Sequence, residues 1–319
     1  MSDSFVQSTA LMGTVVTIQV VGHDSDARER AEREQAVARA LDWFRRIEDC
    51  CTRFDERSEA RRLGARAGES VPVSDMLFEA VRFALAVAEE SGGAFDPTVG
   101  HRMEARGFDR EHRTGQVVRT APAPERTVSY RDVKIDPARK AITLLRPLVL
   151  DLGAVAKGLA IDMAARELEP FGNFAVDAGG DLYLGGHNAE GQPWSVGIRH
   201  PRDEHELVET LRVSDIAVCT SGDYERRSPR DDEDHHILDP RTDETATAVA
   251  SVTVLAPSAM VADALGTAAF VLGPREGLDL LARQGVEGLI VTPGLERFAT
   301  PGFSPSLRRG QAAALRTTG

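Results

Sequence analysis

The chain has 319 residues, 42% hydrophobic and 28% charged, a profile of a folded globule long enough to bury a core without disulfide or metal staples. Its 38 basic and 50 acidic side chains leave a net charge of −12; with only 5% aromatics and no basic stripe, this argues against nucleic acid as a partner. Cys50, Cys51 and Cys219 form neither a disulfide framework nor a Cys-x-x-Cys metal site, and with no secretory start, lipid-anchor cysteine or long apolar run the expectation is a cytoplasmic protein with no membrane span.

The β-branched run Thr14–Val21 predicts a strand. A long helix follows over roughly 26–50, where Val37, Leu41, Phe44 and Ile47 recur at spacings of three and four; Cys50 and Cys51 read as buried filler at its end. A second helix is predicted over about 75–90, with Ser74 or Asp75 as its cap. Residues 101–130 are polar, Arg-rich and punctuated by proline, and read as a flexible excursion. A hairpin over 131–145 turns at Asp136-Pro-Ala-Arg139, and Leu148–Asp162 reads as strand, glycine turn and helix. Strands and turns continue to about 220, and the charged stretch 225–236 reads as an exposed loop. The last regular units are a strand over 251–256, helices over 257–272 and 276–284, and a strand over 287–292. Helices and strands are segregated rather than alternating, which predicts an α+β fold. The organisation expected is one domain over 1–303 and a frayed tail over 304–319.

Several segments carry polar groups where chemistry could occur. Ser258–Leu272 is a nearly all-apolar helix with one carboxylate, Asp263, in its middle and Thr267 one turn further on. A buried carboxylate needs a cation or strong donors. Either Asp263 pairs with one of the many arginines while Thr267 bonds back to its own helix, or the two oxygens serve a hard cation such as Mg²⁺. In Asp151-Leu-Gly-Ala-Val-Ala-Lys157-Gly158 a strand end, a glycine turn and a helix start offer N–H groups and an ammonium to phosphate, or are simply a strand–helix join. Lys157 is one of only three lysines in the chain, with Lys134 and Lys140. The glycines of Asp177-Ala-Gly-Gly-Asp181 permit close approach to a ligand, and a hairpin turn explains them equally. Thr220-Ser-Gly-Asp-Tyr224 and His235-His-Ile-Leu-Asp-Pro240 add hydroxyls, carboxylates and imidazoles. No serine sits in a nucleophile elbow, so no Ser/His/Asp triad is assigned.

In chain order, Met12-Gly-Thr14, Ala94-Phe-Asp-Pro-Thr-Val-Gly100, Asp151–Gly158, Gly179-Gly-Asp181, Thr220–Tyr224, His236-Ile-Leu-Asp-Pro240 and Ala262-Asp-Ala-Leu-Gly-Thr267 resemble the FAD:protein FMN transferase (ApbE-like) family. The resemblance spans about residues 8–303. It implies mixed and antiparallel sheets with packed helices and a ligand cleft between two intertwined lobes. It also implies Mg²⁺-dependent transfer of FMN from FAD, the substrate, to a threonine hydroxyl of an acceptor flavoprotein, with release of AMP. Asp263, Thr267 and the main-chain carbonyl of Ala154 would hold the metal. Met12, Phe54, Ala94, Phe95, Asp96, Asp151, Lys157 and Leu238 would line the FAD site, with Gly179, Gly180, Ser221 and Asp223 walling it. His236 would be the general base. Two positions depart from some members: Phe54 stands where some have another large aromatic, and Gly266 stands where some place a second carboxylate. Two other activities use the same motifs: hydrolysis of FAD to FMN and AMP, and flavin binding without catalysis.

Overall fold

The computed structural model describes residues 3–22, 27–112, 114–118, 127–229, 234–304 and 306–308. Strands β1 (Asp3–Leu11) and β2 (Thr14–Gly22) form a hairpin ahead of helix α1 (Ala27–Cys51). Helix α2 (Glu59–Gly64), strand β3 (Ser70–Pro72) and helices α3 (Asp75–Glu90) and α4 (Gly100–Ala105) follow. The hairpin of β4 (Val133–Asp136) and β5 (Ala141–Leu144) precedes α5 (Gly153–Leu168). Then come β6 (Phe174–Ala178), β7 (Asp181–Gly185), β8 (Trp194–His200), β9 (Asp203–Ser214) and β10 (Ile216–Gly222). The last part holds β11 (Leu238–Asp239), β12 (Glu244–Thr245), β13 (Ser251–Ala256), α6 (Ala259–Gln284), β14 (Glu287–Val291), β15 (Arg297–Ala299) and β16 (Ser306–Arg308).

Eight strands form one antiparallel sheet in the order β1-β2-β6-β7-β10-β13-β14-β15. Side chains alternate across a strand, so each strand of this sheet feeds two cores. On one face Ile18, Val176, Cys219 and Val254 pack with α1, α3, α5 and α6. On the other, Leu184, Val218 and Leu255 pack under a small sheet ordered β16-β9-β8. β13 is covered on both faces, and all six of its residues are buried. The α+β expectation holds, with helices on one side of the main sheet and strands on the other.

The crossing of α5 and α6 decides where the chemistry sits. A Cβ added at Gly158 would lie 2.4 Å from Met260 Cα and 2.6 Å from Ala259 O, so the two backbones touch there. Asp162, one turn along α5, accepts from Ala259 N at 2.7 Å, Met260 N at 3.0 Å and Ser258 Oγ at 2.6 Å. These are the orphan donors of the α6 N-terminus, so one helix caps the other and fixes their register. Gly158→Val is expected to lower stability by at least ~1–3 kcal/mol, the usual cost of overpacking. Chemical denaturation checks this, and an unchanged midpoint contradicts the contact.

Most predicted elements appear at their predicted places. Ser74 is the α3 cap and accepts from Leu77 N at 3.3 Å. The two C-terminal helices are one element bent at Gly273, whose φ of 81° precedes Pro274. Strand β1 and helix α2 were not expected. β1 lacks an apolar alternation because the hairpin is largely exposed, with Val6 at 53% and Val15 at 58%. The region read as an excursion over 101–130 starts with α4, and its His112 Nε2 accepts from Gly13 N at 3.0 Å, docking it on the β1–β2 turn. Residues 113 and 119–126 of that region lie outside the described residues. The stretch over 225–236 is not exposed throughout: Ser228 and His235 are buried, and residues 230–233 lie outside the described residues. In the expected tail, β16 pairs in parallel with β9, and residues 305 and 309–319 lie outside the described residues. No described helix is long and apolar enough to cross a membrane.

Candidate active site

Four elements deliver polar groups to one place beside the α5–α6 crossing. Lys157 extends from α5 and ion-pairs with Asp181, the first residue of β7, and with Asp263 Oδ2 of α6 at 3.0 Å. Asp181 Oδ1 accepts from Thr220 N of β10 at 2.9 Å. Thr267 lies one helical turn after Asp263, and its Oγ1 is 3.5 Å from Ser221 Oγ. A Cβ on Gly266 would come within 3.3 Å of that same Ser221 Oγ, so the glycine keeps the space between helix and strand open.

The pairing realises part of one sequence expectation and adds to another. Asp263 does have a cation partner, but it is Lys157 rather than an arginine. Lys157, expected to offer its charge to phosphate, here neutralises two carboxylates. Two carboxylates share this one ammonium in a buried place, and the Arg226 charge also acts on Asp263. Burial pushes the Asp263 carboxyl above its ordinary range, with Lys157 and Arg226 opposing that shift. Asp263 Oδ2 is buried and makes no well-aligned hydrogen bond, even to Lys157. A buried carboxylate oxygen without a well-aligned donor, beside hydroxyls, is the donor set that a hard divalent cation takes. Among the described residues no group of three or more His, Cys, Asp or Glu gathers for a metal. A cation here would therefore depend on hydroxyl and main-chain oxygens as well as Asp263. Ala154, expected to lend its carbonyl, lies in the first turn of α5.

A second group forms around Asp151, at the end of the segment leading into α5. Asp151 Oδ2 accepts from Arg53 Nε at 2.9 Å and Oδ1 from Gly153 N at 3.1 Å. Burial raises this carboxyl, but Arg53 and the Gly153 N–H outweigh it and hold the group below the usual carboxylate range. The Arg53 guanidinium stacks 4.1 Å over the Phe54 ring. The segment 94–100 is laced along the same stretch, which is irregular rather than the expected strand, through Asp151 N to Pro97 O at 2.8 Å and Gly100 N to Val149 O at 3.2 Å. Ala94, Phe95 and Asp96 are buried. Both oxygens of Asp96 are engaged by protein donors: Thr98 N at 2.8 Å, Thr98 Oγ1 at 2.7 Å and Tyr130 N at 2.9 Å. Asp96 thus shapes its own loop.

His236 is half-buried on the segment between β10 and β11, with its N–H on Arg226 O at 3.1 Å. Desolvation, and then the charge of Arg226, push its imidazole well below the ordinary histidine range, so the ring is neutral at pH 7. Leu238 is buried in β11. The Arg226 charge acts on Asp151, Asp263 and His236 alike, so these three groups share one electrostatic neighbourhood. The segment carrying His236 is held by α4 and the residue after it: Arg106 Nη1 meets Asp234 at 2.8 Å, and Arg102 Nη1 meets Pro240 O at 2.7 Å.

The remaining expected residues serve the frame. Gly179 and Gly180 make the β6–β7 hairpin turn with φ of 69° and 93°, and a Cβ on Gly179 would collide with Thr14 Oγ1. Asp223 is clamped by Arg202 through two bonds of 2.8 and 2.7 Å. Met12 occupies the β1–β2 turn with φ of 51° and packs against the main core. A separate cavity of about 410 Å³ lies on the opposite face of the sheet, between β2, β6, β7, β10 and β8. Of the expected residues, only Gly180 reaches it. Arg53, Asp181 and Arg226 are outside the set read from the sequence.

The sequence and the fold have counterparts. The model of the ApbE family matches residues 12–290. An FAD:protein FMN transferase of Klebsiella pneumoniae is 30% identical over 93% of this chain and 86% of its own. Another, of Treponema pallidum, is 31% identical over 95% and 89%. The crystal structure of the ApbE protein from Thermotoga maritima superposes with a TM-score of 0.81 at 31% identity, covering 94% of this chain and 97% of its own. The flavin transferase ApbE from Vibrio cholerae gives 0.80 at 26% identity, over 96% and 100%.

Proposed function

Because the chain belongs to the ApbE family, we propose that it is an FAD:protein FMN transferase that depends on Mg²⁺ and moves FMN onto a threonine hydroxyl of an acceptor flavoprotein. The observation that carries this reading is the cluster at the α5–α6 crossing. Lys157, Asp181, Ser221 and the Asp263/Thr267 pair come from four separate elements and meet at one point, where two carboxylates share a single lysine.

Asp263, Thr267 and the carbonyl of Ala154 would hold the cation. When bound, Mg²⁺ supplies neutralisation of the diphosphate oxygens, which phosphoryl transfer requires. The protein's own groups do the rest. Phe54 offers a ring face for an aromatic part of FAD, and Arg53 behind it keeps that ring oriented. Asp151 offers a fixed carboxylate to a donor of the ligand. His236, neutral at pH 7, takes the proton from the threonine Oγ. The new bond joins Oγ to the phosphorus on the FMN side. The bond from that phosphorus to the bridging oxygen breaks, and AMP leaves with its electron pair.

The test is to follow AMP release from FAD with and without a threonine-bearing acceptor domain, in Mg²⁺ and in EDTA. The expected result is release that needs both Mg²⁺ and the acceptor. Release that needs Mg²⁺ alone identifies a hydrolase, and FAD binding with no release identifies a carrier; either overturns the proposal.

A further inference from the structure

Arg53 lies in none of the segments that carry the family resemblance, yet it touches two of the residues expected to line the FAD site. It follows α1 directly and is only 6% exposed. Its Nε donates to Asp151 Oδ2 at 2.9 Å, and its Nη2 donates to Phe108 O at 2.5 Å. Its plane covers the Phe54 ring at 4.1 Å, and Nη1 lies 3.9 Å from Glu104 Oε1. One cation therefore joins the end of α1, helix α4, the loop after it and the segment before α5.

The arrangement leaves Asp151 in a particular state. Its carboxylate is gripped from inside by Arg53 and Gly153, and its side chain remains 24% exposed. A carboxylate held by two donors, with lone pairs still open to solvent, can only accept from a ligand. Phe54 is likewise fixed from behind, because the guanidinium stack occupies one of its faces. Lysine could not do both: it is a point charge without a planar fork.

We propose that Arg53 is the positioning residue of the FAD site. It fixes Asp151 as a hydrogen-bond acceptor and Phe54 as a stacking face, so that the site selects a flat aromatic ligand presenting an N–H or O–H donor to Asp151. This inference rests on the FAD-using reading above, so its test measures binding rather than transfer.

FAD affinity is measured by quenching of flavin fluorescence on the full chain, for wild type, Arg53→Met, Arg53→Lys, Asp151→Asn and the Arg53→Met/Asp151→Asn double variant. Removing a group that orients a ligand-binding side chain costs about 10- to 100-fold in affinity, and that loss is expected for Arg53→Met. Arg53→Lys should recover only part of it. The double variant should bind no more weakly than the weaker single variant, because both changes act through one interaction. Additive losses, or wild-type affinity in Arg53→Met with only a lower melting temperature, would make Arg53 a structural ion-pair partner and overturn the proposal. If Arg53→Met does not fold, Arg53→Lys carries the test, and wild-type affinity there overturns it. A wild-type chain that binds no FAD overturns this inference together with the transferase reading. FAD binding without transfer sinks the transferase reading alone.

Discussion

Asp263→Asn is expected to abolish Mg²⁺-dependent AMP release, by at least ~10²-fold, while leaving the fold intact. The magnitude is that of removing one group that stabilises charge in a transition state. Asparagine keeps the volume and one oxygen but removes the charge that would hold the cation. Breaking a buried ion pair usually costs about 3–5 kcal/mol, because a charge is stranded. Here Lys157 keeps Asp181 as a partner, so the loss of stability should be well below that. Two measurements decide the matter: AMP release across a Mg²⁺ titration, and thermal melting without metal. Wild-type turnover with a sharply lowered melting temperature would mean that Asp263 serves only to neutralise Lys157.

His236→Ala is expected to lose transfer by about 10²- to 10⁴-fold, the usual contribution of a positioned base, while FAD affinity stays within a few-fold of wild type. Parallel loss of both would make His236 a binding residue. The pH profile adds a second reading with a definite sign. A histidine whose pKa is lowered keeps its neutral, proton-accepting form to lower pH than usual. Desolvation and Arg226 lower that of His236. The acid limb of kcat/KM, which reports the free enzyme, should therefore lie below the ordinary histidine value of about 6.5. A limb at or above that value contradicts the desolvation of the ring and the influence of Arg226 on it.

The elements that bury a regular face were legible in the sequence. Val37, Leu41, Phe44 and Ile47 of α1 are all buried, as their spacing requires. Among the strands, what was not legible has a common cause: strands held by pairing rather than by burial leave no pattern. β1 is one such strand. The start of β9 is another, where the exposed Asp203 and Leu207 pair with His200 and Arg199 of β8 across an irregular register. The site was legible in proportion to how unusual its residues are. Asp263 stood out as the only carboxylate in an apolar helix, and Lys157 as one of three lysines. Arg53 and Arg226 did not, because arginine is abundant throughout the chain. Asp181 stood beside two glycines that a hairpin turn already explained. Its role needs the α5–α6 crossing, which Gly158 and Asp162 create and no local pattern announces.

That crossing also links stability to chemistry. Gly158 and Asp162 set the register of two helices, and the register sets whether Lys157 can reach Asp181 and Asp263 together. Substitutions at either position should therefore affect ligand binding before they unfold the chain.

The most direct measurement is the intact mass of a threonine-bearing acceptor domain after incubation with this protein, FAD and Mg²⁺. The account predicts a gain of one FMN phosphoester on the acceptor, one AMP released per flavin attached, and no gain when the acceptor threonine is replaced by valine. An unmodified acceptor with free FMN and AMP in solution would contradict it.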